Sequence, residues 1–501
     1  MVDIGLSKPH PMVRIGDMLE TLALHGKLHS LWGPGQQDPS AVLPKFWRRY
    51  RQEHPSHQLF DRHRTHLHRL IPLQLHMDEG ESLKNAGLMV ASWQSPIGAG
   101  VATQEGEPDM PLNYLGNSFK TRYLISVLLK RVYLKTVKGS LDKLVSVVAS
   151  DLTQLFEHGI ELDLAGRRER FYIAWIGLKG DWPIQQKVGH LQRHFARATK
   201  DEEHGVGVCH LCLAGQAGVP MHDLSRRAAW KDTILTTSPF RNPGPLSGVP
   251  QTSSQEVMFR FDPFHTLHKG CFAELAGSAL VMITDYGLVE GGSFAAQLGS
   301  LYDLLWAYCK RTKTPLHMEA LTRNQINFKR DSDYPTGSWF KGADTAAVCG
   351  FLEEFLTTHV STLVQKDPYL ESARDCCINA NMFLKTLYRH GVWLPLEACS
   401  QAAQAGLNFL RCYQECAQYA FNAGKTRYKL QPKYHTMLHF VHALTVAATS
   451  ERKWTWNILA DGVQMDEDFV GKVAAISRAV NVRSVHAQTV SRYLTNMWSE
   501  E

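Results

Sequence analysis

Several common signatures are missing from this sequence of 501 residues. It has no GxGxxG or P-loop motif, so nucleotide-driven chemistry has no support, and no Ser-His-Asp pattern rises above chance. No apolar run is long enough to span a bilayer, and the first residues lack the apolar stretch of a signal peptide. These absences predict a protein that is made in the cytoplasm, stays there or enters the nucleus, and works without a membrane.

Charge and cysteine content exclude further classes. Lys+Arg 54 against Asp+Glu 48 give a formal net charge of +6, which is mild for a nucleic-acid binder. The 10 cysteines follow no regular spacing, which is typical of free thiols in a reducing compartment. A hydrophobic content of 44% with 20% charged residues predicts a large core and more than one domain.

Two aspartates each follow a short β-like run. Asp78 closes IPLQLHMD, and Asp181 closes ERFYIAWIGLKGD. Two more strand candidates and one helical stretch, SLDKLVSVVASDLTQLFEHGI, lie between them. A helical crossover lets the last strand lie parallel to the first, which predicts that both acids meet at one end of a sheet. A ribonuclease-H-like core presents carboxylates in this way to two divalent ions, here Mg²⁺ or Mn²⁺.

Other residues carry a functional and a structural interpretation side by side. Glu467 opens a late helix between two further acids, where it could be a third metal ligand or simply favour the helix dipole. Asp262 and His265 form an Asp-x-x-His that could hold metal or position a phosphate, or could cap a helix. A triplet at helical spacing shares one helix face and could line a site or be buried: His435, His439 and His442.

A CxxC pair predicts half of a tetrahedral zinc site. The pair is Cys209 and Cys212, and two further ligands are needed. Histidines near it in sequence are the candidates, and we expect His194 and His204 to complete the set; the others are His190, His210 and His222. A buried thiol pair without metal is the alternative.

Basic residues suggest where a polyanion could lie. Residues 44–70 carry seven Lys/Arg and five His against two acids, which fits either an arm that approaches phosphates or a solvated helix face. Four further basic residues could line a DNA path or be ordinary surface charge: Lys120, Arg122, Lys130 and Arg131.

Taken in order, these segments resemble the transposase family of CACTA (En/Spm-type) DNA elements. The matching pieces are IPLQLHMDEG, LKGDWP, CHLC, DPFH and LQPKYHTMLH. The resemblance implies an α/β fold: a ribonuclease-H-like mixed sheet interrupted by a zinc-containing and helical insertion, with helical N- and C-terminal parts. The implied layout is a basic helical region (1–70), the first part of the core (71–200), the CxxC segment and linker (201–260), a helical insertion (261–450) and a C-terminal part completing the core (451–501).

The same resemblance implies metal-dependent strand cleavage and transfer at element ends by a DDE/D-type enzyme. Asp78 and Asp181 carry over as the first two catalytic carboxylates, Glu467 is the expected third, and Glu274 is its competitor. DNA is the implied partner, a homo-oligomer is compatible with it, and the nucleus is the implied location.

Two other functions stay open at this stage. The chain could be a non-catalytic, zinc-containing nucleic-acid-binding protein derived from such a transposase, in which case the acids would not converge. It could also be a helical interaction protein whose acids are caps and surface groups, in which case no sheet would join Asp78 to Asp181.

Overall fold

The computed structural model describes residues 1–33, 38–99, 110–164, 166–195, 205–339 and 341–499. The strands in these ranges are β1 (Leu70–Glu81), β2 (Gly87–Gln94), β3 (Tyr123–Leu129), β4 (Ile160–Leu164), β5 (Arg167–Lys179), β6 (Trp393–Pro395) and β7 (Trp454–Trp456). The α-helices there are α1 (Ile15–Leu24), α2 (Leu43–Glu53), α3 (Leu59–Arg62), α4 (Ser140–Glu157), α5 (Trp182–Gly189), α6 (Ala229–Asp232), α7 (Phe272–Asp285), α8 (Phe294–Thr312), α9 (Ala343–Thr362), α10 (Pro368–Tyr388), α11 (Leu396–Asn422), α12 (Pro432–Ala448), α13 (Gln464–Arg478) and α14 (Val485–Ser499).

A five-stranded mixed sheet organises the first part of the chain, in the order β3-β2-β1-β5-β4. Strand β2 pairs antiparallel with β1 and β3, β4 pairs antiparallel with β5, and β1 pairs parallel with β5. The parallel pairing is possible because α4 intervenes and carries the chain back along the sheet. The predicted mixed α/β architecture with helical N- and C-terminal parts is confirmed.

Strand β1 lies inside this sheet, and its sequence explains why. Residues 70–77 are all buried, as expected for a strand with a neighbour on each edge and helices over the sheet. Helix α13 packs on β1 and β2, α14 on β3, α4 on β5, and α1 on β4. The late helices α13 and α14 therefore return to the sheet that the first half of the chain builds.

A long helical excursion separates β5 from α13. Helices α9, α10, α11 and α12 pack against one another in sequence order, and α7 packs on α9 and α10. The short strand β6, before α11, pairs with β7, which comes shortly before α13, and Trp393 lies opposite Trp456. Within the described ranges, no helix is both long and apolar enough to cross a membrane.

Gly180 closes the gap between β1 and β5 just before Asp181. Its φ is +147°, and a Cβ built at this position would lie 2.6 Å from the carbonyl oxygen of Met77. Only glycine adopts this φ without strain, and only glycine lets the two backbones approach so closely. Gly180 precedes Asp181 as Met77 precedes Asp78, so this contact fixes the separation of the two aspartates.

We expect Gly180→Ala to destabilise the fold by at least about 1–3 kcal/mol, because backbone strain adds to a clash with a main-chain oxygen. Chemical denaturation measures the change. Gly26→Ala is the matched control, since Gly26 also has a positive φ, +63°, but no atom lies within 4 Å of an added Cβ. Equal losses for the two variants would contradict the proposed contact.

Candidate functional site

Asp78 and Asp181 meet at one end of the β1–β5 pair. His76 and Lys179 are the last residues in parallel register, and each aspartate follows two residues later. This register places the two aspartates side by side, and the charge of Asp181 adds to the effect of burial in raising the pKa of Asp78. The meeting of these two acids, which the sequence predicts, is therefore present in the structure.

Local hydrogen bonds orient both carboxylates. Asp181 is the N-cap of α5, and its Oδ1 accepts a bond of 2.9 Å from the amide of Ile184. Oδ1 of Asp78 accepts a bond of 2.6 Å from the amide of Glu79. Each of these bonds uses one oxygen of the carboxylate and fixes its direction relative to the strand end.

The segment before the Asp-x-x-His motif runs beside the end of β5. Phe259 forms a parallel bridge with Leu178, and the amide of Arg260 donates to the Leu178 carbonyl at 3.0 Å. Asp262 follows at once and caps the next turn, accepting bonds from the amides of Phe264 (2.8 Å) and His265 (3.1 Å). The capping interpretation of Asp262 is therefore correct, and it places the motif next to the aspartates.

His265 connects this motif to the third predicted acid. Its Nδ1 bonds Asp262, and its Nε2 lies 3.0 Å from Oε1 of Glu467 in the first turn of α13. Burial opposes a charge on the imidazole, but the charges and hydrogen bonds of Asp262 and Glu467 raise the pKa of His265 to about 10. The ring is therefore cationic at neutral pH. Its charge opposes, without cancelling, the burial that raises the pKa of both aspartates.

The electrostatics of the aspartates are those of crowded acids. Burial raises the pKa of Asp78 to about 7, and the charges of Asp181 and Glu467 add to the rise. Burial also raises the pKa of Asp181, against the opposing effects of the Ile184 amide and His265. A cation placed between such groups would relieve their repulsion, and oxygen ligands of this kind suit Mg²⁺ and Mn²⁺.

Glu467, rather than Glu274, adjoins this cluster. The ring of His265 contacts both Glu467 and Asp262, and the charge of Glu467 contributes to the raised pKa of Asp78. Glu274 lies on α7 in the helical region, where it accepts hydrogen bonds from Tyr413 and Gln431, and burial raises its pKa to about 7. We refer to Asp78, Asp181, Asp262, His265 and Glu467 together as the acid cluster.

The predicted DNA-path residues have different fates. The prediction that Arg122 lines a DNA path is wrong. Its side chain is 1% exposed and lies 3.6 Å from Asp466, so it cannot contact a DNA backbone. Arg122 directly precedes the buried strand β3. Lys130 is partly exposed and pairs with Glu79. Lys120 and Arg131 are exposed, and their contact with DNA stays a prediction.

Two lysines that the sequence did not single out lie nearer the acids. Lys187 lies on α5, pairs with Glu79 at 2.6 Å, and its charge lowers the pKa of Asp181. Lys269 follows the Asp-x-x-His motif, and its charge interacts with Glu467. A signal was available for Lys187, because it lies six residues after Asp181 on a helix that Asp181 begins.

A second cluster joins the CxxC pair to helix α12. It consists of Cys209, Cys212, His435 and His439, all buried, with ligand atoms within 4.8 Å of one another. Sγ of Cys209 lies 3.3 Å from Nε2 of His439, and Sγ of Cys212 lies 3.2 Å from Nε2 of His435. Sulfur and nitrogen ligands of one tetrahedral zinc are separated by roughly 3.5 Å. This Cys/His cluster could therefore hold a metal such as zinc.

Neighbouring groups prepare the Cys/His cluster for a metal. Nδ1 of His435 bonds the carbonyl of Met221 at 2.8 Å, which turns Nε2 toward the thiols. Buried Arg193 donates to the carbonyls of Cys209 and His210 and so holds the CxxC loop. Burial opposes ionisation of Cys209, but the hydrogen bond with Cys212 and the charge of His439 hold its pKa well below the usual value. A thiolate is the form that binds metal.

The two histidines of this cluster differ from the predicted pair. His194 is not one of its four members, and His204 lies outside the described residues. His435 and His439 supply the nitrogen ligands from a helix more than 220 residues further along the chain. The i, i+4 spacing on one helix face was their signal in the sequence, but nothing in the sequence connected it to the CxxC pair.

No protein-family model matches this sequence, and a search against curated proteins finds no match. The chemistry of the site therefore has to be argued from its own residues. Those residues form two distinct sets: an oxygen-rich acid cluster at the end of the sheet and a Cys₂His₂ set beside it.

We expect the purified protein to contain about one zinc per chain, and His439→Gln to lose it and to melt at a lower temperature. Metal analysis by mass spectrometry together with a thermal melt measures both effects. His442→Gln is the matched control, because His442 lies on the same helix and also packs on Trp230, outside the four ligands. Equal zinc content in the two variants would contradict the assignment.

We also expect Asp78→Asn to stabilise the metal-free protein at pH 8 but not at pH 4. A raised pKa means that the fold favours protonated Asp78, so stability is lost as pH rises from about 4 to 7. Removing the charge should restore on the order of 2 kcal/mol at pH 8. Denaturation with a chelator present measures it, and exposed Asp303→Asn is the control. A gain of the same size at both pH values would refute this.

Proposed function

We propose that this chain is a transposase-type enzyme that cleaves and transfers DNA strands at element ends, using two Mg²⁺ or Mn²⁺ ions. The observation that carries the proposal is the β1–β5 register, which brings Asp78 and Asp181 side by side, together with His265, which contacts Glu467. The three acids arrive from β1, from the turn after β5 and from α13, across almost 400 residues of sequence. The sheet that joins Asp78 to Asp181 argues against the helical interaction protein, for which no such sheet is expected.

The residues present fit the proposed ions. Asp78, Asp181 and Glu467 offer carboxylate oxygens, which hard divalent cations prefer. Burial, together with the charges of Asp181 and Glu467, raises the pKa of Asp78, and a bound cation would favour its ionised form. When bound there, two such ions would activate an attacking oxygen and stabilise the leaving one.

Other residues of this chain have separate tasks in the proposed reaction. Asp262 orients His265, and the cationic ring holds Glu467 toward the aspartates. Lys187 and Lys269 bring positive charge close to Asp181 and Glu467, where the phosphates of a nucleic-acid backbone would have to pass. The acids would hold the ions, and these lysines would hold the strand.

The topology supports a ribonuclease-H-like core. Strands β1, β2 and β3 form an antiparallel meander, and β5 joins β1 in parallel after a helical crossover. The helical excursion before α13 agrees with the insertion expected from the resemblance to CACTA transposases. A DNA substrate and a nuclear location belong to the same proposal.

A non-catalytic zinc protein that binds nucleic acid is the second candidate, and the complete Cys₂His₂ set is the observation that favours it. Such a protein would keep the Cys/His cluster while having no use for paired carboxylates. The grouping of Asp78, Asp181 and Glu467 around His265 argues for the catalytic candidate, because decay would not preserve three costly acids together.

The test is cleavage of supercoiled DNA by the full chain with Mg²⁺ or Mn²⁺. We expect Asp181→Asn and Glu467→Gln each to lower the rate at least about 100-fold, since each removes one ligand charge. Asparagine also caps helices well, so Asp181→Asn leaves the start of α5 intact and isolates the ligand role. Strand cleavage is followed by gel electrophoresis at several metal concentrations.

Asp468→Asn provides the control, because Asp468 is the residue after Glu467 and pairs with Lys472 on the same helix. It should cleave like the wild type. Equal activity in the wild type and Asp181→Asn would remove Asp181 from the mechanism. Absence of cleavage in a wild type that retains zinc and binds DNA would favour the second candidate.

A further inference from the structure

A buried ion triad lies directly beneath the acid cluster. Nζ of Lys179 lies 2.9 Å from Oδ2 of Asp466, and Nε of Arg122 lies 3.6 Å from Oδ1 of the same carboxylate. The three side chains are 1%, 0% and 1% exposed for Lys179, Asp466 and Arg122. They come from the end of β5, the start of α13 and the residue before β3.

The triad is charged despite its burial. Burial opposes ionisation of Asp466, but the charges of Lys179 and Arg122 lower its pKa to about 2. Arg122 is held on its other side by Asn113, with bonds of 3.2 Å to Oδ1 and 2.6 Å to the carbonyl oxygen. Burying three charges is a poor way to gain stability, because apolar residues of similar size often do as well. The arrangement therefore calls for another purpose.

The position of the triad in the sequence suggests that purpose. Lys179 lies two residues before Asp181, and Asp466 lies immediately before Glu467. The ion pair thus joins the two backbones that carry the second and third acids. Glu467 is in the first turn of α13, where its amide bonds the Val463 carbonyl at 2.8 Å.

An attraction that holds the N-terminus of α13 against the sheet is needed here. Without a bound cation, the charge of Glu467 opposes that of Asp78, and this repulsion favours movement of the α13 N-terminus away from the sheet. His265 draws Glu467 inward from the partly exposed side. The pair of Lys179 and Asp466 draws the same turn inward from the buried side, where solvent does not screen it.

We propose that Lys179 and Asp466 are positioning residues that hold Glu467 against Asp78 and Asp181 before any ion binds. This inference rests on the proposed function for its catalytic meaning. Its physical content, a helix turn pinned to the sheet by a buried ion pair, stands independently of that function.

The test compares four variants of the full chain with the wild type. Lys179→Met breaks the pair and leaves Asp466 beside Arg122, Lys179→Arg keeps the charge, and Lys179→Met with Asp466→Asn removes both charges of the pair but leaves buried Arg122 without a carboxylate. Asp468→Asn is the matched control. It makes the same charge change as Asp466→Asn, two residues further along α13, on an exposed side chain. Hydrogen exchange of residues 463–470 is measured in metal-free protein, and Mn²⁺ affinity is measured by calorimetry.

We expect Lys179→Met to exchange faster at residues 463–470 and to bind Mn²⁺ roughly 10- to 100-fold more weakly. The double variant should show the same losses together with a lower melting temperature, because Arg122 is then a buried charge without a partner carboxylate. Lys179→Arg should recover part of both readouts, and Asp468→Asn should match the wild type. Should the double variant not fold, Lys179→Met decides, because Arg122 still balances the charge of Asp466 in that variant. Wild-type exchange at residues 463–470 in Lys179→Met would then overturn the inference.

Two outcomes would overturn the inference. Wild-type exchange at residues 463–470 in the double variant would show that the pair does not hold the helix turn. Faster exchange with unchanged Mn²⁺ affinity would show that the helix turn does not matter for the ion. A wild type that binds no Mn²⁺ would instead defeat the proposed function, while the exchange result would still decide whether the pair pins α13.

Discussion

The parallel pairing of β1 with β5 is the constraint on which the rest of the structure depends. The two strands are in parallel register up to His76 and Lys179, so Asp78, still inside β1, lies beside Asp181, which follows β5. Gly180 then sets how closely they meet, because its missing Cβ lets the β5 end lie on the carbonyl of Met77. Every other group of the acid cluster is positioned relative to this edge, including the segment that carries Asp262, which extends the sheet beside β5.

The negative charges at this edge repel one another, and positively charged side chains at several depths oppose that repulsion. His265 lies among the acids as a cation, Lys187 and Lys269 lie at the partly exposed side, and Lys179 lies underneath. The positive groups next to the acids are thus a condition for holding them together in the metal-free protein. On the proposed function, a chain with a net charge of only +6 would bind a polyanion through such local positive charge.

The sequence predicted what is encoded locally and missed what is encoded by distant contacts. Asp78 and Asp181 could be predicted because each follows an apolar run, although β1 continues past Asp78 to Glu81, and the crossover helix fixes their relation. Cys209 and Cys212 could be predicted from spacing alone, but His435 and His439 could not be assigned to them, because no local pattern spans 220 residues. Arg122 was misjudged because a lone arginine before a strand looks solvated, whereas Asp466 compensates its charge inside the protein.

The two clusters are connected through aromatic side chains. These contacts link a set of sulfur and nitrogen ligands to a set of carboxylates. Trp182, next to Asp181, packs on His210 inside the CxxC loop, with ring centroids 5.0 Å apart. Phe261, next to Asp262, packs on Trp182 at 5.3 Å and on His439 at 5.4 Å. Nε2 of His210 also bonds the carbonyl of Phe259 at 2.9 Å, in the segment that leads to Asp262. A zinc held by Cys209, Cys212, His435 and His439 would therefore fix the aromatic contacts that seat both Asp181 and Asp262. The Cys/His cluster thus packs directly against the residues next to Asp181 and Asp262, so a change in one cluster is expected to shift the other.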